Sequence, residues 1–222
     1  MPYPLFLDLT DKTALVVGAG GVGRRKIAGL AGRGLARLLV LDPALPAECE
    51  TLACGTLLDQ QCRGFTPHDV MGMALVFACT DNRAVNAAVA AACHERGVLC
   101  NVADDPTAGD FFVPALVERG DVVLAVSTGG AGPALSKHLR KELEDWLGNR
   151  YTAFAALLRR LRPALLALGL ETTENTRIFR SLVHSPLAQL LVDDNTEEAR
   201  RILRELLPEP LHAAIGVFLH ER

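Results

Sequence analysis

The stretch TALVVGAGGVGRRK, residues 13–26, decides the fold. Thr13 to Val17 is an apolar, β-favouring run that reads as a buried strand, and the glycines after it open a helix that continues to about Arg33. A GxGxxG pattern by itself occurs in many loops. Here Gly18-Ala19-Gly20-Gly21-Val22-Gly23 follows a strand and leads into a helix, and Asp42 stands 19 residues beyond Gly23, at the end of a second strand, Leu38 to Leu41. In that setting Gly18 permits the tight turn, Gly20 lets the backbone approach a pyrophosphate, and Gly23 lets helix and strand pack closely. The helix start at Gly21 and Val22 offers N–H groups to phosphates. Asp42, with Pro43 beside it, is expected to accept hydrogen bonds from ribose hydroxyls and to repel a 2′-phosphate, which favours NAD over NADP.

Working outward, Leu75 to Ala78 is a further buried strand. Thr80-Asp81 is placed to cap an Ala-rich helix from Asn82 to about Arg96, Gly97 ends it, and Val98 to Val102 is the next strand. The βαβαβ alternation predicts an α/β fold with a Rossmann-type parallel sheet. Between Pro43 and Met73 the pattern is less regular, with turn residues at Cys54-Gly55 and Arg63-Gly64, and predicts a short helix and a strand. After Pro106 the grammar changes. Phe111 to Glu118 and Val122 to Ser127 read as a paired ribbon around Arg119-Gly120-Asp121, followed by a glycine-rich loop and an amphipathic helix to Trp146 or Leu147, stopped by Gly148. From Tyr151 onward the apolar spacing is helical, with breaks near Gly169, Ser185-Pro186, Asp193-Asp194 and Pro208, and Asn195 with Glu198 resembles a capping box. The expected organisation is a nucleotide-binding domain over 1–112, a small α+β region over 113–148 and an all-helical region over 149–222.

Composition removes several classes of function. With 23 basic against 26 acidic side chains and a net charge of −3, there is no global field to attract nucleic acid or an anionic membrane. The N-terminus MPYPLFLDLTDK lacks a basic n-region, and no run of 18 apolar residues could span a bilayer, so the cytoplasm is the expected location. Six cysteines (49, 54, 62, 79, 93 and 100) show no CxxC pair and read as reduced thiols. No HExxH or GxSxG occurs, so neither a metal site nor a serine hydrolase is supported.

Three segments remain for chemistry. Thr80, Asp81 and Asn82 follow a strand at the carboxyl edge where ligands of such sheets bind, although they also suit a helix cap. Asn101-Val102-Ala103-Asp104-Asp105-Pro106 brings two adjacent carboxylates to that edge, where one could accept a proton as hydride leaves a substrate; solvated turn acids are the alternative. Ser127, Thr128, Gly129 and Gly130, running into Pro133 with Lys137, Arg140 and Lys141 beyond, form a loop suited to carboxylates or phosphates, or a flexible hinge.

Together, GAGGVGRRK, ACTDN, CNVADDP and FFVPALVERGDVVLAVSTGGAGPALSKHLRKELE resemble the precorrin-2 dehydrogenase/sirohydrochlorin ferrochelatase family, the dehydrogenase module of siroheme synthases. The likeness spans residue 3 to about 148; the remainder matches only in being helical. It implies that NAD oxidises precorrin-2 to sirohydrochlorin, and that some members then insert ferrous iron to give siroheme, which these residues leave open. It places the family's key aspartate on Asp104, its hydroxyl position on Ser127 or Thr128, and its homodimer contact on the ribbon and following helix; whether Asp105 contributes stays open. Where family loops often carry a polar residue and Ser before the proline, Ala131-Gly132 stand here, which shifts anion contacts there to the backbone. The chain stops at Arg222 with no fused methyltransferase module, so its methylated substrate is expected from another protein. A regulator that senses NAD without turnover is the rival class. Glutamyl-tRNA reductase shares a similar glycine loop but needs a substrate domain ahead of it, and only 17 residues precede Gly18.

Overall fold

The computed structural model describes residues 3–44 and 56–220. The chain divides into two compact units, Met1–Val113 and Pro114–Arg222. The ribbon and the helix after it belong with the second.

In the first unit, β1 (Thr13–Val17), β2 (Arg37–Leu41), β3 (Leu58–Gln61), β4 (Leu75–Ala78) and β5 (Leu99–Val102) form one parallel sheet in the order β3-β2-β1-β4-β5. Strand side chains alternate between faces, and each face has its own cover. Ala14 and Val16 join Ile27 and Leu30 of α1 (Gly21–Leu30), while Leu15 and Val17 join Val89, Ala92 and Cys93 of α2 (Arg83–Arg96). A strand buried on both faces must be apolar, which is why the buried stretches 14–17 of β1, 38–41 of β2 and 75–78 of β4 read as unbroken apolar runs. Between Pro43 and Met73 the described residues carry β3 and the 3-10 turn η1 (Pro67–Val70). Cys49 and the turn expected at Cys54-Gly55 lie outside the described residues.

Several strand ends shift by one residue from the sequence reading, and three larger departures bear on the site and the core. The helix expected to reach Arg33 ends at Leu30, with a turn through the next residues. Asn82, rather than Thr80 or Asp81, is the N-cap of α2: its side-chain oxygen accepts from the N–H groups of Ala84 (2.9 Å) and Val85 (3.3 Å). Phe111 does not begin a strand. Its carbonyl accepts from Asn101 Nδ2 at 2.8 Å and its ring meets Phe77 edge-on at 5.5 Å, so it seals the first unit, and the ribbon strand starts at Ala115.

In the second unit, β6 (Ala115–Arg119) and β7 (Val122–Val126) form an antiparallel pair, followed by α3 (Pro133–Leu147). Then come α4 (Thr152–Ala167), α5 (Thr172–His184), α6 (Leu187–Val192), α7 (Thr196–Leu206), the 3-10 turn η2 (Glu209–Ala214) and α8 (Ile215–His220). Leu157, Leu161 and Leu165 line up along α4 at helical spacing and pack with Leu182, Leu187, Leu203 and Ile215 into one core. Among the described residues no helix is long and apolar enough to cross a membrane.

Candidate active site

The glycine turn is built by close approach. Gly18 has φ +93°, and a Cβ there would lie 2.8 Å from the carbonyl carbon of Cys79, so this turn rests against the peptide that leaves β4. At Gly23 a Cβ would stand 1.9 Å from the carbonyl oxygen of Gly18, so only glycine lets α1 start over the turn. Gly20 and Gly21 are different: a Cβ at either meets nothing within 4 Å. No side chain caps the helix at Gly20, and its first turn holds no acid. The unsatisfied amides of a helix N-terminus thus adjoin open space, which suits an anion.

Asp42 makes contacts within the chain that the sequence did not indicate. Its Oδ2 accepts from the Ala19 N–H at 2.6 Å and its Oδ1 from the Ala44 N–H at 2.8 Å. The half-buried carboxylate therefore ties the glycine turn to the end of β2. Each oxygen keeps a further lone pair for another donor. Pro43 lies exposed beside it and accepts from the Cys62 thiol at 3.1 Å.

At the ends of β4 and β5 a buried amide organises the edge. Asn86, the fourth residue of α2, is 1% exposed. Its Oδ1 accepts from the Thr80 N–H at 3.1 Å and from the Thr80 hydroxyl at 2.7 Å. Its Nδ2 donates to the Thr80 carbonyl at 3.0 Å and to Asp104 Oδ1 at 2.7 Å. Asp104 Oδ2 lies 3.7 Å from Arg83 Nε, and the Asp104 side chain is 29% exposed. Sequence reasoning named Thr80 and Asp104 but not the residue joining them; the only available signal was an asparagine inside an Ala-rich helical stretch. Asp81 is exposed.

The neighbouring carboxylate is spent locally. Asp105 Oδ1 accepts from the Thr107 hydroxyl at 2.6 Å and its N–H at 3.0 Å, and these bonds hold the exposed carboxyl below its ordinary value. Cys79 and Cys100 gain no chemistry either. Burial pushes the Cys79 thiol up to about 11, and the hydrogen bond with Cys93 together with burial pushes Cys100 up, so both stay protonated at neutral pH.

The loop from Ser127 to Pro133 belongs to the second unit. Ser127 Oγ accepts from the Gly129 N–H at 3.3 Å, and the Thr128 and Ser136 hydroxyls share a hydrogen bond of 3.0 Å. Gly129, Gly130 and Gly132 have φ +60°, +92° and +148°, with open space at each Cβ position. No side chain caps α3, which starts with Pro133. Among the described residues no group of three or more His, Cys, Asp or Glu side chains is placed to hold a metal ion.

A parallel sheet of this strand order, with an open glycine turn at its carboxyl edge, defines a Rossmann-type dinucleotide-binding protein. Residues 5–115 match the family model described as putative NAD(P)-binding, and residues 119–145 match that described as the central part of a sirohaem biosynthesis protein. The chain belongs to the first of these families, and the likeness to the siroheme-synthase dehydrogenase module read from the sequence is borne out by both models and by curated relatives. It is 34% identical over 205 residues to the siroheme synthase of Thioalkalivibrio sulfidiphilus, covering 92% of this chain and 42% of that protein. It is 37% identical over 217 residues to the siroheme synthase of Pseudomonas aeruginosa, covering 96% of this chain and 46% of that protein. The chain thus spans less than half the length of these relatives. Among solved structures, the precorrin-2 dehydrogenase SirC superposes with a TM-score of 0.72 at 24% identity, over 92% of this chain and 98% of that one, and shares the fold.

Proposed function

We propose that the chain is an NAD-dependent dehydrogenase that oxidises precorrin-2 to sirohydrochlorin in siroheme biosynthesis. The observation that carries this reading is one run of contacts along the sheet edge: Gly18 against the Cys79–Thr80 peptide, Thr80 bonded to Asn86, and Asn86 bonded to Asp104. It holds a dinucleotide turn and a carboxylate in one frame. The names of the relatives supply the substrate class.

The residues fit the cofactor. The uncapped start of α1, with Gly20, Gly21 and Val22, would take the pyrophosphate, and the spare lone pairs of Asp42 would take the ribose hydroxyls and disfavour a 2′-phosphate. Pro43, Thr80 and Asp81 border the same edge. Bound NAD supplies the hydride acceptor. Oxidation also removes a proton, and Asp104 is the carboxylate set to receive it. Ser127, Thr128, Gly129 and Gly130 would hold the substrate's carboxylates, chiefly through backbone N–H groups. The active form is a homodimer joined through the ribbon and α3, located in the cytoplasm, consistent with the free thiols of Cys62, Cys79, Cys93 and Cys100.

The test follows absorbance of NADH when the protein is given precorrin-2 with NAD or NADP, and then siroheme formation on adding ferrous iron. Turnover with NAD, lost by roughly 100-fold or more in Asp104→Ala, is expected. Absence of turnover in the wild type would favour a regulator that only senses NAD; unchanged turnover in the variant would remove Asp104 from the reaction. Siroheme appearing at the iron step would add chelation to the activity.

A further inference from the structure

We propose that Asn86 is the positioning residue of Asp104: oriented by Thr80, its amide donates to Asp104 Oδ1 and leaves Oδ2 as the oxygen that receives the substrate's proton. The proposal rests on the reading of Asp104 as proton acceptor.

A carboxamide has a donor end and an acceptor end, and here backbone groups decide which is which. The Thr80 N–H can only donate and lies 3.1 Å from Asn86 Oδ1; the Thr80 carbonyl can only accept and lies 3.0 Å from Nδ2. Turning the amide over would oppose donor to donor and acceptor to acceptor in a site where Asn86 is 1% exposed. The nitrogen is therefore fixed on the side of Asp104, 2.7 Å from Oδ1.

Two consequences follow from that orientation. An NH2 group cannot accept, so Oδ1 must present a lone pair to it, and a proton arriving at Asp104 belongs on Oδ2. That oxygen faces Arg83 Nε at 3.7 Å, a long contact to a side chain that is 89% exposed and can swing aside. The second consequence is geometric. Asn86 bonds the exits of both β4 and β5, and Gly18 leans on the Cys79–Thr80 peptide whose N–H donates to Asn86 Oδ1, so the carboxylate keeps a constant place relative to the glycine turn.

The test uses the full chain. In a 15N-labelled sample the Asn86 side-chain NH2 pair is expected to be widely split and slow to exchange, and Asp104→Ala should move it and speed its exchange. An unaltered signal would overturn the contact, whatever the turnover. For kinetics, Asn86→Leu removes all four bonds, whereas Asn86→Asp can still accept from Thr80 but sets a second carboxyl against Asp104, and two carboxyls this close share one proton, so Asp104 is no longer a free acceptor. Both are expected to lower kcat by roughly tenfold or more while KM for NAD stays within about twofold. Should Asn86→Leu fail to fold, Asn86→Asp carries the same test. In an Asp104→Ala background either substitution should cost nothing further; an undiminished additional loss would mark a role in folding alone and overturn the proposal. If Asp104→Ala keeps full turnover, the reading of Asp104 fails. If it is inactive while Asn86→Asp matches wild type, that reading stands and the role of Asn86 falls.

Discussion

At the scale of single residues, the glycine turn separates what the fold requires from what a ligand requires. A Cβ at Gly23 would sit 1.9 Å from a backbone oxygen that cannot move without displacing β1 or α1, whereas a Cβ at Gly20 meets open space. Gly20 has φ −66°, which any residue adopts. Gly23→Ala is therefore expected to lower stability by about 3 kcal/mol or more, read from denaturant unfolding. Gly20→Ala should leave the melting temperature within about 2 °C of wild type in the absence of NAD. Its NAD affinity, measured by calorimetry, should fall at least roughly tenfold, because the new methyl fills the space where a pyrophosphate would approach. Equal NAD affinity in Gly20→Ala would mean that this turn serves packing alone. The packing roles of Gly18 and Gly23 were legible from spacing, but the tie that Asp42 makes to the turn was not. Its 2.6 Å bond to the Ala19 N–H joins two segments far apart in sequence, and only the folded chain shows it.

At the scale of elements, legibility followed burial. β1, β2 and β4 are covered on both faces and announce themselves as apolar runs, while β3 is the sheet's edge and reads LDQQ, every residue half-buried. Polar side chains on an edge strand satisfy solvent and discourage further pairing, and they blur the pattern, so a strand was expected between Pro43 and Met73 without its bounds. Asn86 was hidden for a related reason: nothing in an Ala-rich helix tells whether an asparagine faces water or another buried group. The link from β3 into η1 shows local chemistry replacing apolar pattern. Asp69 takes both arms of Arg63 at 2.8 and 2.7 Å and the Thr66 N–H at 2.7 Å. The Arg63 fork, ahead of the Thr66 bonds, holds the Asp69 carboxyl below the usual carboxylate range despite opposing desolvation. A carboxyl with a lowered folded value stabilises the fold fully above its unfolded value, about 3.9, and loses that contribution as pH falls through the folded one. Asp69→Asn should therefore cost about 1–3 kcal/mol at pH 7. The gap should persist at pH 5 and close progressively below about pH 4. Unfolding curves across that series check it, and a gap that stays constant to pH 2 would deny the ion pair its role.

At the scale of the whole molecule, the ribbon poses a question about partners. A two-stranded antiparallel sheet is marginal in water unless its faces are covered. Alternation puts Val117 and Arg119 of β6 on one face, and Val117 is 2% exposed while Arg119 meets Glu144 of α3 at 2.7 Å, so α3 covers that face. Leu116 and Val123, paired with Ala125 and Glu118 across the register, lie on the other face and remain half-buried. A second copy of the same ribbon is self-complementary to such a face, and a twofold interface needs only that one patch. The expected outcome is that the wild-type protein sediments at twice its chain mass of 23.8 kDa at micromolar concentration, and that Val123→Glu sediments as a single chain. A charge there would be desolvated in an interface built on this face, which costs far more than the lost methyls. NAD affinity separates this effect from misfolding. The glycine turn, Asp42 and Asn86 all lie in the first unit, so the monomeric variant should bind NAD as the wild type does. A dimer that survives Val123→Glu would move the interface away from this face of the ribbon, while a wild type already sedimenting as one chain would exclude the homodimer.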